Sequence, residues 1–173
     1  EHKDIRFCEY EWAPTNETFS QADAIALRDR FIADFLFACE HARTVLWDKE
    51  TDIWSLFRYA EHGGPSANPL NYVQLNQRMR KYVSLPKSLT INFGCIQARK
   101  DEWRSVASTD GGKAKGQPTG GRIRAGFPEL PGLVHVDLEH TREGGIFTTT
   151  VGKAHGPAAK QICDKSFHDI DFV

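Results

Sequence analysis

Four residues in the second half of the chain are of the types that can cleave RNA without a metal ion. In chain order they are Glu102, Arg122, Arg124 and His140. RNA cleavage needs a base that takes the 2′-hydroxyl proton, an acid that protonates the leaving 5′-oxygen, and a cation that stabilises the phosphorane. Glutamate, histidine and arginine supply these three roles. The simpler interpretation is that these residues lie at strand edges, where charged side chains are common.

Titratable residues are densest at 135–140, HVDLEH. If this segment is a strand, His135, Asp137 and Glu139 share one face and His140 falls at the strand end beside a turn. If it is a helix, His135 and Glu139 align instead. The alternation with valine and leucine favours the strand. The alternative to a functional site on this strand is an ordinary solvated sheet face.

A basic, glycine-rich segment precedes the two arginines. Residues 110–121, DGGKAKGQPTGG, predict a mobile loop that cannot pack. Because the net charge of the chain is −1, a nucleic-acid partner must meet a local basic patch. The predicted RNA-binding residues outside the catalytic set are Lys113, Lys115 and His135. The expected partners are RNA or a protein, and no cofactor is predicted.

Three helices are predicted in the first half of the chain. Ser20 followed by Asp23 predicts a capped helix start. The apolar stripe of this helix consists of Ile32, Phe35, Cys39, Ala42 and Leu46. Its three- and four-residue steps predict about six or seven turns. A second helix is predicted to stop at 62–65, HGGP, and a third to start at 68–69. The four tryptophans are assigned to the core or its rim.

Strands are predicted in the second half, where the apolar period changes to two. The predicted strands are 89–93, 122–127, 133–138 and 146–151, with a turn at 143–145. Residues 96–107 are ambiguous between strand and helix. Strands joined by short turns pair antiparallel, because a parallel crossover needs a longer connection.

The predicted fold class is α+β, with N-terminal helices packed on a C-terminal antiparallel β-sheet. A single domain is expected to span 1–173. Its helical half covers about 20–83 and its sheet half about 88–151, and residues 152–173 form a C-terminal extension. No apolar run approaches the ~20 residues that cross a bilayer, so no membrane association is predicted.

Four widely spaced cysteines predict two disulfides. They are Cys8, Cys39, Cys95 and Cys163, with three possible connectivities. Asn16 begins an N-glycosylation pattern, and the first residue, Glu1, resembles a processed end. Together these features predict a secreted glycoprotein.

The order of these elements and four short segments resemble the microbial ribonuclease family, which includes barnase and the fungal guanyl-specific ribonucleases. The segments are DEW at 101–103, GQP at 116–118, GGRI at 120–123 and EHTREGGIF at 139–147. The resemblance implies Glu102 as general base, Arg122 or Arg124 as phosphate clamp, and His140 as general acid. It therefore implies a metal-independent endoribonuclease specific for single-stranded RNA.

The chain also departs from that family. The additional early histidine of the fungal members has no counterpart between His62 and His135, where Lys87 stands nearest in context. The helical half is longer than in the family, and residues 152–173 are extra. A catalytically inactive relative that binds RNA or a protein is therefore the second expectation.

Two other chemistries use some of the same histidines. VHVDLEHT at 134–141 is similar to the deuterolysin-type zinc peptidases, which would imply a degenerate metal site using His135, His140 and His155. Those enzymes need His-Glu-x-x-His on a helix, whereas here the histidines are five apart and neither is directly followed by Glu. We therefore predict no metal. Cys95 with His135 as base would make a nucleophile pair, but Cys95 is assigned to a disulfide.

Overall fold

The computed structural model of the chain describes residues 5–12, 19–64, 69–106, 115–157 and 159–168. Asn16 and Lys113 lie outside these ranges. The chain divides into two compact units, Glu1–Pro128 and Glu129–Val173. None of the helices in the described ranges is both long and apolar enough to cross a membrane.

The first helix, α1, spans Gln21–His41 and begins at the predicted cap. Ser20 Oγ accepts a hydrogen bond from Asp23 N at 3.2 Å, and Asp23 Oδ2 accepts one from Ser20 N at 2.8 Å. This reciprocal capping box satisfies two backbone donors. Phe35 and Cys39 are 3% and 4% exposed, which confirms this part of the inward stripe.

The predicted continuation of α1 to Leu46 is wrong. Thr44–Trp47 instead forms strand β1, which pairs in parallel with β2, Asn92–Cys95. Val45 and Trp47 are buried, whereas Leu46 is 63% exposed. The β-branched Thr-Val pair favours a strand once a distant partner supplies its hydrogen bonds. The predicted antiparallel pairing therefore does not extend to this small sheet.

Two further helices complete the helical half. Helix α2 spans Glu50–His62 and ends, as predicted, at Gly63, whose φ of 70° closes the helix in the left-handed region. A 3₁₀ turn, Pro69–Tyr72, leads into α3, Val73–Ser88. Helix α3 ends at Ser88 and a turn follows it, so the strand predicted at 89–93 starts only at Asn92, as β2.

Aromatic rings fill the core between these elements. Trp47 lies 4.9 Å from Phe35 and 5.0 Å from Phe93, measured between ring centroids. Phe31 of α1 lies 6.0 Å from Phe57 of α2. Edge-to-face pairs of this kind stabilise a fold by about 0.5–1.5 kcal/mol beyond their buried area. The rings thus join α1 and α2 to the β1–β2 sheet.

The four cysteines form no disulfide in the structure. Cys8 is exposed and Cys39 is buried, and burial raises the pKa of the Cys39 thiol above its usual range. The two disulfides and secretion stay predictions.

An antiparallel hairpin follows β2. Its strands are β3, Arg99–Val106, and β4, Lys115–Arg124. Residues 99–106 of the ambiguous segment are therefore strand. The loop predicted at 110–121 is wrong from residue 115 onward, because pairing with β3 satisfies the backbone of this glycine-rich stretch. Residues 107–114 lie outside the described part of the chain.

The second unit contains a three-stranded antiparallel sheet of order β5-β6-β7. In chain order its elements are α4 at Leu130–Leu133, β5 at Val136–Glu143, β6 at Ile146–Ala154, α5 at Ala159–Ile162 and β7 at Ser166–His168. Strand β7 and the end of β6 thus lie in the segment expected to be an extension. Helices in the N-terminal half and antiparallel sheets in the C-terminal half confirm the α+β class.

The turn between β5 and β6 confirms the turn predicted at 143–145. Gly144 and Gly145 have φ values of 58° and 89°. Two positive φ values in a two-residue connection are typical of a type I′ hairpin turn, whose twist matches that of the strands. Glycine adopts this conformation without a steric penalty.

Candidate functional site

The β3–β4 hairpin concentrates positive charge on a chain that is nearly neutral overall. Its basic residues are Arg99, Lys100, Arg104, Lys115, Arg122 and Arg124, and its acidic residues are Asp101 and Glu102. The two described arginines of the predicted site, Arg122 and Arg124, are exposed. The local basic patch that a nucleic-acid partner requires is thus present on this hairpin.

The strand register places three arginines on one face of the hairpin. Arg99 is opposite Arg124, and Asp101 is opposite Arg122. The Arg99 guanidinium donates to the carbonyl oxygen of Arg122, and the Arg122 guanidinium donates to that of Arg99, each at 3.3 Å. These bonds join each guanidinium to the backbone of the opposite strand and so restrict both side chains.

Glu102 lies at an irregularity of the hairpin. The register shifts between Asp101 and Trp103, so Glu102 faces the Thr119–Gly121 stretch of β4. Thr119 Oγ1 donates to Glu102 Oε2 at 2.6 Å. A Cβ at Gly121 would lie only 2.9 Å from the same oxygen, so a larger residue there would make the Glu102 side chain shift. Bulges often aim a side chain at a functional site, and here the carboxylate has a fixed position.

Trp103 is the exposed aromatic residue of the hairpin. Its side chain is 62% exposed, and it lies opposite Pro118 in the register. Its assignment to the core or rim is wrong, because the hairpin forms its own two-stranded sheet. The signal for exposure is its context, DEWR, in which only charged residues flank it. An exposed indole among cations is suited to stacking on a base.

The predicted acid, His140, belongs to the second unit. It lies within β5 opposite Thr149, and His140 Nδ1 is 2.9 Å from Thr149 Oγ1. The prediction that it ends the strand beside the turn is wrong, because β5 continues through Glu143. The alternation places His140 on the face with Leu138, opposite to that of Glu139.

The remaining predicted residues are divided between the two units. Lys115 is the first residue of β4, at the end of the strand opposite to that of Arg122 and Arg124. His135 is exposed and precedes β5, and its carbonyl oxygen accepts a hydrogen bond from His155 N at 3.0 Å. Cys95 ends β2 in the first unit, opposite Trp47. The structure thus brings Glu102, Arg122, Arg124 and Lys115 onto one hairpin, and places His135 and His140 in the other unit.

The segment around His135 and His140 is a strand rather than a helix. The arrangement of two histidines one helical turn apart is therefore not formed. Within the described ranges, no group of three His, Cys, Asp or Glu side chains could hold a metal ion.

One titratable residue that the sequence does not single out is fully buried. Glu50, the first residue of α2, is 0% exposed. Its Oε1 accepts from Phe127 N at 3.1 Å, and its Oε2 accepts from Gln97 Nε2 at 2.9 Å. Gln97 Nε2 also donates to the Phe127 carbonyl oxygen at 3.2 Å. No ion pair seen among the described residues includes Glu50.

Burial raises the pKa of Glu50 above its usual range, and the hydrogen bonds from Gln97 and Phe127 only partly oppose this. The native state therefore binds a proton on the Glu50 carboxylate more tightly than the unfolded chain does. The resulting stabilisation is complete below the ordinary pKa of 4.5 and is lost as the pH rises through the raised pKa.

Glu50→Gln, which cannot ionise, should therefore gain free energy of unfolding relative to the wild type as the pH rises above about 4.5. Urea unfolding of both proteins over a pH series measures this difference. Asp52→Asn is the matched control, because Asp52 is exposed in the same helical turn. A constant difference between Glu50→Gln and the wild type would contradict the prediction.

Comparison of the chain with protein-family models, characterised proteins and solved structures finds no match.

Proposed function

We propose that the chain binds single-stranded RNA through the β3–β4 hairpin. The observation that carries this proposal is the exposed strand pair with six basic and two acidic residues. Lysine and arginine neutralise phosphates and release counterions, which supplies most of the affinity for a nucleic acid. Arg99, Arg122 and Arg124 share one face and are suited to bind successive phosphates of a single RNA strand.

Trp103 favours a single strand over a duplex. Its indole is exposed beside the arginines, and an unpaired base can stack on it, whereas the bases of a duplex are already stacked. Such stacking stabilises binding by about 1–3 kcal/mol for each base and tolerates any sequence. The proposed ligand is therefore a short single-stranded segment, bound by charge and stacking.

A second candidate function is metal-independent cleavage of the bound RNA. The observation that favours it is the position of Glu102, which Thr119 holds at the bulge in the same hairpin as Arg122. A carboxylate in a strand pair can accept the 2′-hydroxyl proton. Because Asp101 is opposite Arg122 and neighbouring strand residues alternate, Glu102 lies on the face of the hairpin opposite to that of Arg122. His140, the proton donor that the family resemblance implies, lies in the other unit, so the hairpin by itself supplies only the base and the cation of this chemistry.

Binding should weaken steeply with salt, and Arg122→Gln/Arg124→Gln should bind more weakly with a smaller salt slope. Each phosphate contact contributes about 0.7 to the slope for a single strand, so loss of two contacts removes about 1.4. Fluorescence anisotropy of a labelled single-stranded RNA over a salt series measures both quantities. Trp103→Ala should weaken binding by about 5- to 150-fold with an unchanged slope.

Lys81→Gln/Lys87→Gln is the matched control, because it changes the net charge equally on the exposed surface of α3. If this control weakens binding as much as the arginine variant, the hairpin is not the interface. Absence of any RNA binding would leave a protein-binding role in its place.

A further inference from the structure

Both ends of the β3–β4 hairpin meet the first turn of α2. Before β3, Ala98 N donates to Thr51 Oγ1 at 2.9 Å. After β4, Thr51 Oγ1 donates to the Ala125 carbonyl oxygen at 3.4 Å. Ala125 N in turn donates to the Ala98 carbonyl oxygen at 2.8 Å, which closes the base of the hairpin. Glu50, the preceding residue of α2, binds both ends as well, through its two carboxylate oxygens.

We propose that Glu50 and Thr51 are positioning residues, which clamp the base of the basic hairpin and fix the orientation in which it binds RNA. The expected effect on RNA affinity rests on the proposed RNA-binding function. The clamp itself is a property of the fold and can be tested without RNA. Glu50 touches no ligand in this proposal and acts only through the two ends of the hairpin.

The hairpin needs such a clamp because it has little support of its own. An isolated two-stranded sheet is marginally stable in water, and among the strands of the described ranges β3 and β4 pair only with each other. If the hairpin sampled several orientations, only a fraction of molecules could bind at any moment. The apparent dissociation constant rises in inverse proportion to that fraction.

The clamp is built around a carboxylate. Gly126, between the two contact points on the β4 side, has a φ of 99°, and a Cβ there would overlap the Glu50 carboxylate. Burial of a carboxylate is costly unless its oxygens are hydrogen-bonded. Here both oxygens accept, one from each end of the hairpin. An apolar side chain would leave Phe127 N without an acceptor and would remove one of the two acceptors of Gln97 Nε2.

Hydrogen exchange of the protein without RNA tests the clamp directly. In Glu50→Ala the amides of Ala98, Ala125 and Phe127 should exchange faster than in the wild type, because the hairpin base opens. The amides of α1 should keep their wild-type rates. Asp52→Ala removes the same charge from the same helical turn and should change neither group. Equal acceleration throughout the unit, or none at the hairpin base, would overturn the proposal.

RNA binding then separates a positioning role from a merely structural one. If a tenth of Glu50→Ala molecules hold the competent orientation, affinity falls about tenfold. The salt slope should stay at its wild-type value, because the same cations contact the phosphates. Glu50→Gln keeps the chain length and one acceptor oxygen, and should recover part of the affinity.

Thr51→Val keeps the proposal testable if Glu50→Ala does not fold, because it removes only the hydroxyl. It should accelerate exchange at Ala98 and weaken RNA binding, and Thr51→Ser should restore both. If wild-type protein binds no RNA while the exchange pattern appears, the proposed function fails and the clamp stands. Faster exchange at the hairpin base with unchanged RNA affinity would refute positioning.

Discussion

The Glu102→Gln variant is expected to cleave single-stranded RNA about 10²- to 10⁴-fold more slowly than the wild type, the loss typical of a general base or acid. Glutamine keeps the size of the side chain and can still accept from Thr119, so the hairpin is undisturbed. It cannot accept the 2′-hydroxyl proton. Rates of formation of the 2′,3′-cyclic phosphate product measure the effect.

Several conditions make this test specific. The assay contains excess EDTA, because no metal takes part, and DNA of the same sequence should stay intact because it lacks the attacking 2′-hydroxyl. Asp101→Asn is the matched control, since it removes the neighbouring hairpin carboxylate.

Activity should follow a bell-shaped pH curve, because one group must be ionised and the other protonated. RNA that stays intact with wild-type protein from about pH 4 to pH 9 would exclude the cleavage proposal. RNA binding by the hairpin would then be the whole proposed function.

Phe57→Ala is expected to lower the free energy of unfolding by about 3–5 kcal/mol, the usual cost of removing a buried phenyl ring. Phe57 is 1% exposed, and its ring lies 6.0 Å from that of Phe31 and 5.9 Å from that of Tyr82. It therefore joins α2 to both α1 and α3, and its loss leaves a cavity where three helices meet.

Chemical denaturation of Phe57→Ala and the wild type measures this loss. Phe37→Ala removes the same group from the surface of α1, where Phe37 is 46% exposed, and should cost less than about 1 kcal/mol. Equal losses in the two variants would show that the core is not centred on Phe57.

The features that the sequence predicts correctly depend on neighbours in the chain. The Ser20–Asp23 cap forms within four residues, and Gly63 ends α2 through its own φ. The turn at Gly144 and Gly145 likewise needs only two positive φ values.

The features that sequence reasoning misses depend on distant contacts. The apolar stripe does not indicate where α1 ends, because the strand that follows, β1, forms through pairing with the distant β2. Glu50 has the pattern of an ordinary exposed residue in the first turn of a helix. Its burial depends on Gln97 and Phe127, which are 47 and 77 residues further along the chain.

The parallel pairing of β1 with β2 also imposes an order on folding. Thr44 lies beside Asn92, 48 residues further along the chain, and both α2 and α3 lie between them. Helices form from local bonds within about a microsecond, whereas this closure must first overcome the entropy of a long loop. We therefore expect the aromatic core around Trp47 and Phe93 to be completed after the helices have formed, when the small sheet joins the two ends of that loop.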